Sequence, residues 1–302
     1  MKLKRMLVYT GVVLTMIFWG LSYIWLKMVY GFIGPITTTF LRMVSTSLLL
    51  VVIANITKKR QTIQRQDWKF VVLLTFFHPF LYFLFESFGL KYVSPTVAAV
   101  IVTTIPLFIP VAAFYLFNER LSLMNITGMT VSFVGVLLVI VKRDFSLSAS
   151  PLGIVLLLFA VASGVAYTSS LRKLTDSYNA FTLVMYQNLL GILWFAPLFL
   201  VFDLKHFLKV NITMEWIGPL ILLVVFASLL AFIFYTTAVK ELGAGKAGIF
   251  GISIPAFTAL FSWFLTAEEL SIQQILGIFI VMSGLLVSQI KRGRRPHPLA
   301  RH

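Results

Sequence analysis

Cysteine is absent from the 302 residues. That excludes a disulfide framework and any thiolate metal site. Histidine numbers four, and two of these, His297 and His302, stand at the C-terminal end. Charge is scarce as well: Asp, Glu, Lys and Arg make up 12% of the chain, against about 25% in an ordinary soluble domain. Ten acidic residues face 25 basic ones, a net charge of +15. The excess does not point to nucleic acid, because the basic residues sit in short clusters between apolar runs, the pattern that orients membrane spans. No Gly-x-Ser-x-Gly turn, no metal-ligand spacing and no phosphate-binding loop with its Lys occurs.

What the chain has instead is apolar surface. Hydrophobic residues make up 59% of it, and its mean hydropathy is +0.96. A soluble domain of this size must cover its core with polar groups and has no use for so much. A helix needs about 20 apolar residues to cross the hydrocarbon core. Ten such runs are predicted, at 7–28, 35–55, 69–90, 95–117, 124–142, 152–172, 179–202, 214–239, 245–266 and 273–290. The first run follows "MKLKR" without a small-residue cleavage site, so it is read as a retained span and not a signal peptide. The expectation is an all-α polytopic membrane protein. Eighteen Lys and Arg residues fall on the side of the termini and six on the other, with Arg42 inside a span. That asymmetry predicts cytoplasmic termini in a cell inner (plasma) membrane. The pair Lys142–Arg143 runs against it.

One sentence is written twice. "IPLFIPVAAFYLFNERLS" from Ile105 is answered by "IPAFTALFSWFLTAEELS" from Ile254. Aligned without gaps at an offset of 149, residues 85–140 and 234–289 share 14 identities in 56 positions. These include Pro106/Pro255, Glu119/Glu268, Ser122/Ser271, Gly128/Gly277 and Gly135/Gly284. "FWGLSY" around Gly20 is answered more loosely by "ASGVAY" around Gly164. The chain thus divides into five-span halves, 1–145 and 146–290, with a basic tail at 291–302. Five is odd, so the second half enters the membrane from the opposite side. Such inverted-topology repeats allow alternating access.

Several residues are too polar for lipid. Arg42 stands mid-span, where a charge costs at least ~2.5–3.5 kcal/mol, so it should face protein or water. Glu86 in the third span is its natural partner. Thr75, His78, Tyr82 and Glu86 have the spacing of one helix face. Two readings stand for Arg42 and Glu86. They form a buried ion pair, or two separately hydrogen-bonded groups, that fixes packing. Alternatively Glu86 titrates and couples proton uptake to substrate movement. Trp19, Tyr23, Tyr82, Tyr167, Tyr235 and Trp263 are candidate cavity aromatics, each with an apolar face and a polar handle. Gln187, roughly level with Arg42 in the repeat, and Asn188 add uncharged hydrogen-bonding groups. Pro106 and Pro255 are expected to interrupt equivalent spans and to take part in gating. Glu119 and Glu268 are expected to fix loops. The four repeated glycines could pack within one chain or between two, leaving a monomer or a weak homodimer.

The segments "WGLSY", "FLRMVSTSLLLV", "ESFGLKYVSPTVAAVIVTTIPLF" and "ERLSLMNITGMTVSFVGVLLVI", with "AVKELGAGKAGIFGISIPAF" in the second half, resemble the EamA-type transporters of the drug/metabolite transporter superfamily. The resemblance covers nearly the whole chain and recurs in both halves. It implies ten helices, a 5+5 inverted repeat and a cavity lined mainly by spans 1, 3, 4, 6, 8 and 9. It also implies movement of small metabolites, often amino acids or drug-like compounds. With no ATP site, uphill movement would draw on an ion gradient or on exchange, and no cofactor is expected. The leading reading is a secondary transporter exporting a small organic metabolite. A multidrug exporter, a passive channel and a lipid enzyme are the alternatives.

Overall fold

Helices account for every membrane-crossing segment, because hydrocarbon offers the backbone no hydrogen bond from outside. The structure, a computed structural model, describes residues 2–58, 60–117, 121–142, 144–175 and 177–289. The expectations for Glu119, for Arg143 and for the tail 291–302 fall outside the described residues. Ten spans follow in order: α1 (Lys2–Tyr30), α2 (Pro35–Thr57), α3 (Trp68–Tyr92), α4 (Pro95–Val102 and Ile105–Phe117), α5 (Leu123–Ile140), α6 (Pro151–Thr175), α7 (Phe181–Phe207), α8 (Met214–Leu242), α9 (Ala244–Gly251 and Ile254–Thr266) and α10 (Ile272–Ser288). Nine of them among the described residues are long and apolar enough to cross a membrane, and α10 is a shorter apolar helix of 17 residues.

The repeat governs element boundaries as well as residue identity. Both α4 and α9 consist of an eight-residue helix, a two-residue break and a 13-residue helix. The breaks are built alike. Thr104 Oγ1 donates to the Ile101 carbonyl at 2.6 Å, and Ser253 Oγ donates to the Phe250 carbonyl at 2.7 Å. Pro106 and Pro255 stand second in the helices that follow. A proline there costs little, since an N–H in the first turn has no intrahelical acceptor. The prolines therefore do not kink a continuous helix. They begin the second half of a span that is already broken. Gly243, at φ 88°, supplies the positive φ between α8 and α9.

The two halves meet along α5 and α10. Ser122 and Ser271 cap these helices with the same reciprocal bonds, closed by Asn125 and Gln274. Asn125 Nδ2 also donates to the Ser288 carbonyl at the end of α10 (2.8 Å), and Gln273 Nε2 donates to the Leu138 carbonyl near the end of α5 (3.1 Å). Between these ends the repeated glycines face each other. A Cβ on Gly128 would lie 2.5 Å from the Gly284 carbonyl oxygen, and one on Gly135 would lie 2.6 Å from Val281 N. The glycines thus pack within one chain, and backbones approach as small residues allow in membranes. Smaller glycine contacts cross between the halves elsewhere. Gly20 of α1 lies beside Thr258 of α9, and Gly164 of α6 lies beside Ile105 at the break of α4.

Gly135→Leu should therefore lower the melting temperature in detergent, because it forces the α5–α10 backbones apart; overpacking of this kind typically costs about 1–3 kcal/mol. Val134→Leu, at a neighbouring position that is 46% exposed, should leave it unchanged. Equal melting of the two variants would contradict the seam.

Candidate substrate site

A guanidinium two turns into α2 sets the arrangement around it. Arg42 is 3% exposed, and its side chain stays protonated. Its Nε donates to Ser228 Oγ of α8 at 3.0 Å. Its central carbon stands 4.5 Å from the centroid of the Phe83 ring of α3, whose electron-rich face attracts a cation. Among the described residues it makes no other hydrogen bond and no ion pair.

Glu86 is 5% exposed and engaged elsewhere. Its Oε1 accepts from Tyr82 Oη at 2.8 Å and from Tyr23 Oη at 3.1 Å. Tyr82 lies one turn earlier on the same helix, and Tyr23 comes from α1. The expected Arg42–Glu86 ion pair is not formed. Two phenols hold the carboxylate, while Ser228 and Phe83 hold the cation. Each of the two groups is thus hydrogen-bonded separately.

The polar stripe on α3 is also interrupted. Wider π turns run through Phe76–Leu81, and His78 leaves the helix at φ −145° and ψ 118°. Thr75 consequently turns to Trp194, whose Nε1 donates to it at 3.3 Å. The His78 ring packs 4.6 Å from Tyr167, 4.9 Å from Tyr82 and 4.8 Å from Phe83, centroid to centroid. Gln187 Nε2 donates to Tyr167 Oη at 2.9 Å, and Asn188 Nδ2 donates to the Val184 carbonyl at 2.8 Å. His78 Nδ1 and Asn188 Oδ1 are buried with no protein partner. Trp19 joins from α1, its Nε1 on the Ala227 carbonyl at 3.3 Å and its ring 5.3 Å from Phe232 and 5.0 Å from Tyr235.

The structure therefore brings together every candidate of the sequence except Trp263. That side chain is 59% exposed and meets the ring of its neighbour Phe264, itself 67% exposed, edge to face. Both rings point out of the bundle, where lipid is the favourable contact for an aromatic surface. Ser228, Phe83 and Phe232 were not singled out in the sequence. Ser228 is a single hydroxyl in the apolar run "LLVVFASLLAF", and that isolation is the one signal that could have marked it.

Between these groups lies a cavity of about 10 Å³, lined by Arg42, His78, Phe83, Gln187, Asn188 and Ser228 among others. That is room for about one water. The lining comes from α2, α3, α7 and α8. This differs from the resemblance-based expectation of spans 1, 3, 4, 6, 8 and 9, because Arg42 and the paired amides of α7 are too costly to turn toward lipid.

Two hydrogen-bonded clasps join α2 and α7, one toward each end of the pair. At the face away from the N-terminus, Asp203 after α7 accepts from Thr37 N (3.1 Å) and Thr37 Oγ1 (2.7 Å) at the start of α2. A carboxylate is well placed at a helix N-terminus. At the opposite face, the loop between α2 and α3 clasps the start of α7. Gln61 N donates to Thr182 Oγ1 (3.0 Å), Asn179 N donates to Gln61 Oε1 (2.6 Å) and Tyr178 Oη donates to Asp67 Oδ2 (2.6 Å). The helix starts Pro35 and Ala180 make Thr37 and Thr182 equivalent positions of the two halves.

The sequence model of the EamA-like transporter family matches residues 6–141 and again residues 151–289. The chain belongs to the EamA-like transporter family. It is a multi-pass membrane transporter. An "Uncharacterized transporter" of Archaeoglobus fulgidus is 26% identical over 279 residues, 92% of this chain and 97% of that protein. The "Uncharacterized transporter YetK" of Bacillus subtilis is 24% identical over 294 residues, 96% of this chain and 88% of its own length. A solved crystal structure shares the fold, with a TM-score of 0.68 at 16% identity over 93% of this chain and 96% of that one.

Removing one phenol should expose how Glu86 is held. Tyr82→Phe should destabilise the purified protein by about 1–3 kcal/mol, the cost of stripping a bond from a buried charged acceptor. Glu86→Gln, whose amide oxygen still accepts from both tyrosines, should cost less. Denaturation midpoints decide it, and a neutral Tyr82→Phe would show that the bond contributes nothing.

Proposed function

We propose that the protein is a secondary active transporter of the cell inner membrane, with both termini cytoplasmic, that exports small organic metabolites such as amino acids by alternating access. One observation carries this reading. A buried, mixed cluster of charged, amide and aromatic groups surrounds a small cavity, and the helices α2 and α7 that help to line it are clasped together at both of their ends. Binding pockets for drug-sized ligands run to about 300–1,000 Å³, so substrate requires one clasp to open and the cavity to widen. The clasps occupy equivalent positions of the two halves. Opening one while the other holds gives two access states of similar energy, as an inverted repeat supports. The breaks that precede Pro106 and Pro255 are the joints about which α4 and α9 bend. Glu86, held by two phenols, of which Tyr82 packs against the His78 ring, is the group that takes up and releases the coupling proton. The substrate-binding groups are Trp19, Tyr23, Arg42, His78, Tyr82, Glu86, Tyr167, Gln187 and Tyr235. The protein works as a monomer, since the glycine seam is satisfied within the chain.

Purified protein in liposomes carrying an internal pH dye tests transport and coupling together. Pooled amino acids should drive labelled counterflow with proton movement, and Glu86→Gln should abolish the proton signal while the protein stays folded. Counterflow without protons in the wild type would leave an exchanger. Conductance far above turnover rates would leave a channel.

The absence of cysteine makes the clasps testable with single thiols. Met43 lines the cavity, so Met43→Cys reports which face reaches it. Adding Asp203→Ala should admit a membrane-impermeant maleimide from the face away from the N-terminus. Adding Gln61→Ala should admit it from the other face. Labelling from the same face in both variants would refute paired gating.

A further inference from the structure

Among the described residues Arg42 makes no ion pair; Glu86 is near enough to act on it electrostatically but not to pair with it. The protein contacts of Arg42 are one neutral hydroxyl, Ser228, and the face of Phe83. Glu86, a buried carboxylate of the same region, is committed to Tyr23 and Tyr82. An arginine cannot shed its proton to lower the cost of burial, whereas a lysine could. Leaving a charge unpaired in a low-dielectric interior is expensive. Such a residue is economically explained only if an anion reaches it during function. Its Nη groups offer the planar fork that receives a carboxylate with two parallel bonds.

A second observation concerns acceptors. His78 Nδ1 and Asn188 Oδ1 are buried without partners, in side chains that are 8% and 7% exposed, and both residues line the same cavity as Arg42. The amide oxygen calls for a hydrogen-bond donor, and so does the imidazole nitrogen in the tautomer that carries its proton on Nε2. The lining of the cavity therefore includes a cation, two residues that carry unpartnered polar atoms, and the Phe83 and Phe232 rings.

We infer that Arg42 is the anion-receiving group of the transport site, and that the substrate is a small carboxylic acid bearing an amino or hydroxyl group beside its carboxylate. The carboxylate seats on the Arg42 fork next to Ser228. The amino or hydroxyl group donates to His78 Nδ1 and Asn188 Oδ1. This rests on the transporter reading above and narrows its substrate class. It sets aside lipophilic cations, which Arg42 would repel.

The test compares acids with their carboxamides, which keep size and donors but lose the charge. The probes are the common amino acids, short 2-hydroxy acids, the carboxamide of each, and unsubstituted short carboxylic acids. Binding is read as ligand-dependent melting of purified protein, since a ligand that binds only the folded state raises its stability. Transport is read as counterflow in liposomes. At least one amino or hydroxy acid should bind, and its carboxamide should bind about tenfold or more weakly. Arg42→Gln should erase the preference for the acid, and Arg42→Lys should restore it only in part. Asn188→Ala should weaken amino and hydroxy acids while sparing unsubstituted ones. Equal binding of acid and carboxamide, retention of the preference in Arg42→Gln, or no binding of any acid would overturn the assignment. The acid–carboxamide comparison needs no variant, so it decides the matter even where Arg42→Gln fails to fold. Arg42-dependent binding without counterflow would keep the site and remove the transport reading. Counterflow of lipophilic cations without binding of acids would do the reverse.

Discussion

Hydrocarbon supplies no hydrogen bond and no counter-charge, so polar groups within these spans are turned toward other parts of the chain. That constraint organises the centre of the molecule. Arg42 draws α3 and α8 against α2 through Phe83 and Ser228. Glu86 draws α1 against α3 through Tyr23. Gln187 ties α7 to α6 through Tyr167. Six of the ten spans are thus fixed around one buried cluster by side chains that could not face lipid. The remaining four have a different task. Spans α5 and α10 close the two halves together backbone to backbone, and α4 and α9 carry the breaks.

The division suits a protein that must change shape without coming apart. A seam held by glycine contacts and carbonyl bonds has little room to slide, because any shift brings backbone atoms into collision. The breaks at Thr103–Thr104 and Ile252–Ser253 are different. There one hydroxyl stands in for part of a helical turn, and a span can bend without losing a ladder of bonds. The clasps are weaker still, being a few hydrogen bonds at the membrane surface where water can replace them. Rigidity and compliance are therefore sorted by position, with the stiff contact at one side of the bundle and the yielding ones at its two faces.

Much of this was readable in the sequence, for identifiable reasons. Span positions follow from apolar runs, and the repeat follows from an ungapped match of Pro, Glu, Ser and Gly. Tyr82 and Glu86 are local, at i and i+4, so helical spacing put them on one face, although it did not say that they bond. What sequence spacing could not give was the partner across the bundle. Arg42 with Ser228 and Thr37 with Asp203 are separated by 186 and 166 residues. The departure of His78 from the helix broke a stripe that spacing had drawn as continuous. Trp263 looked like the cavity aromatics in composition and differs from them only in the direction it faces. Pro106 and Pro255 were placed at the right sites, but a proline reads as a kink until the break before it is seen.

The glycine seam carries a further consequence. Gly128 of the first half meets Gly284, and Gly135 meets the stretch of α10 that holds Gly277 and Val281. At the offset of 149, Gly284 is the counterpart of Gly135 and Gly277 that of Gly128. Each half thus offers its partner the same face that it receives, the reciprocal contact that defines a two-fold dimer interface. A polypeptide of half this length, inserted in both orientations, would already possess a surface that fits a copy of itself. Joining two such copies end to end gives a fused chain its orientation and lets each half diverge, as Arg42 and Gln187 have, without giving up the contact that first held them together.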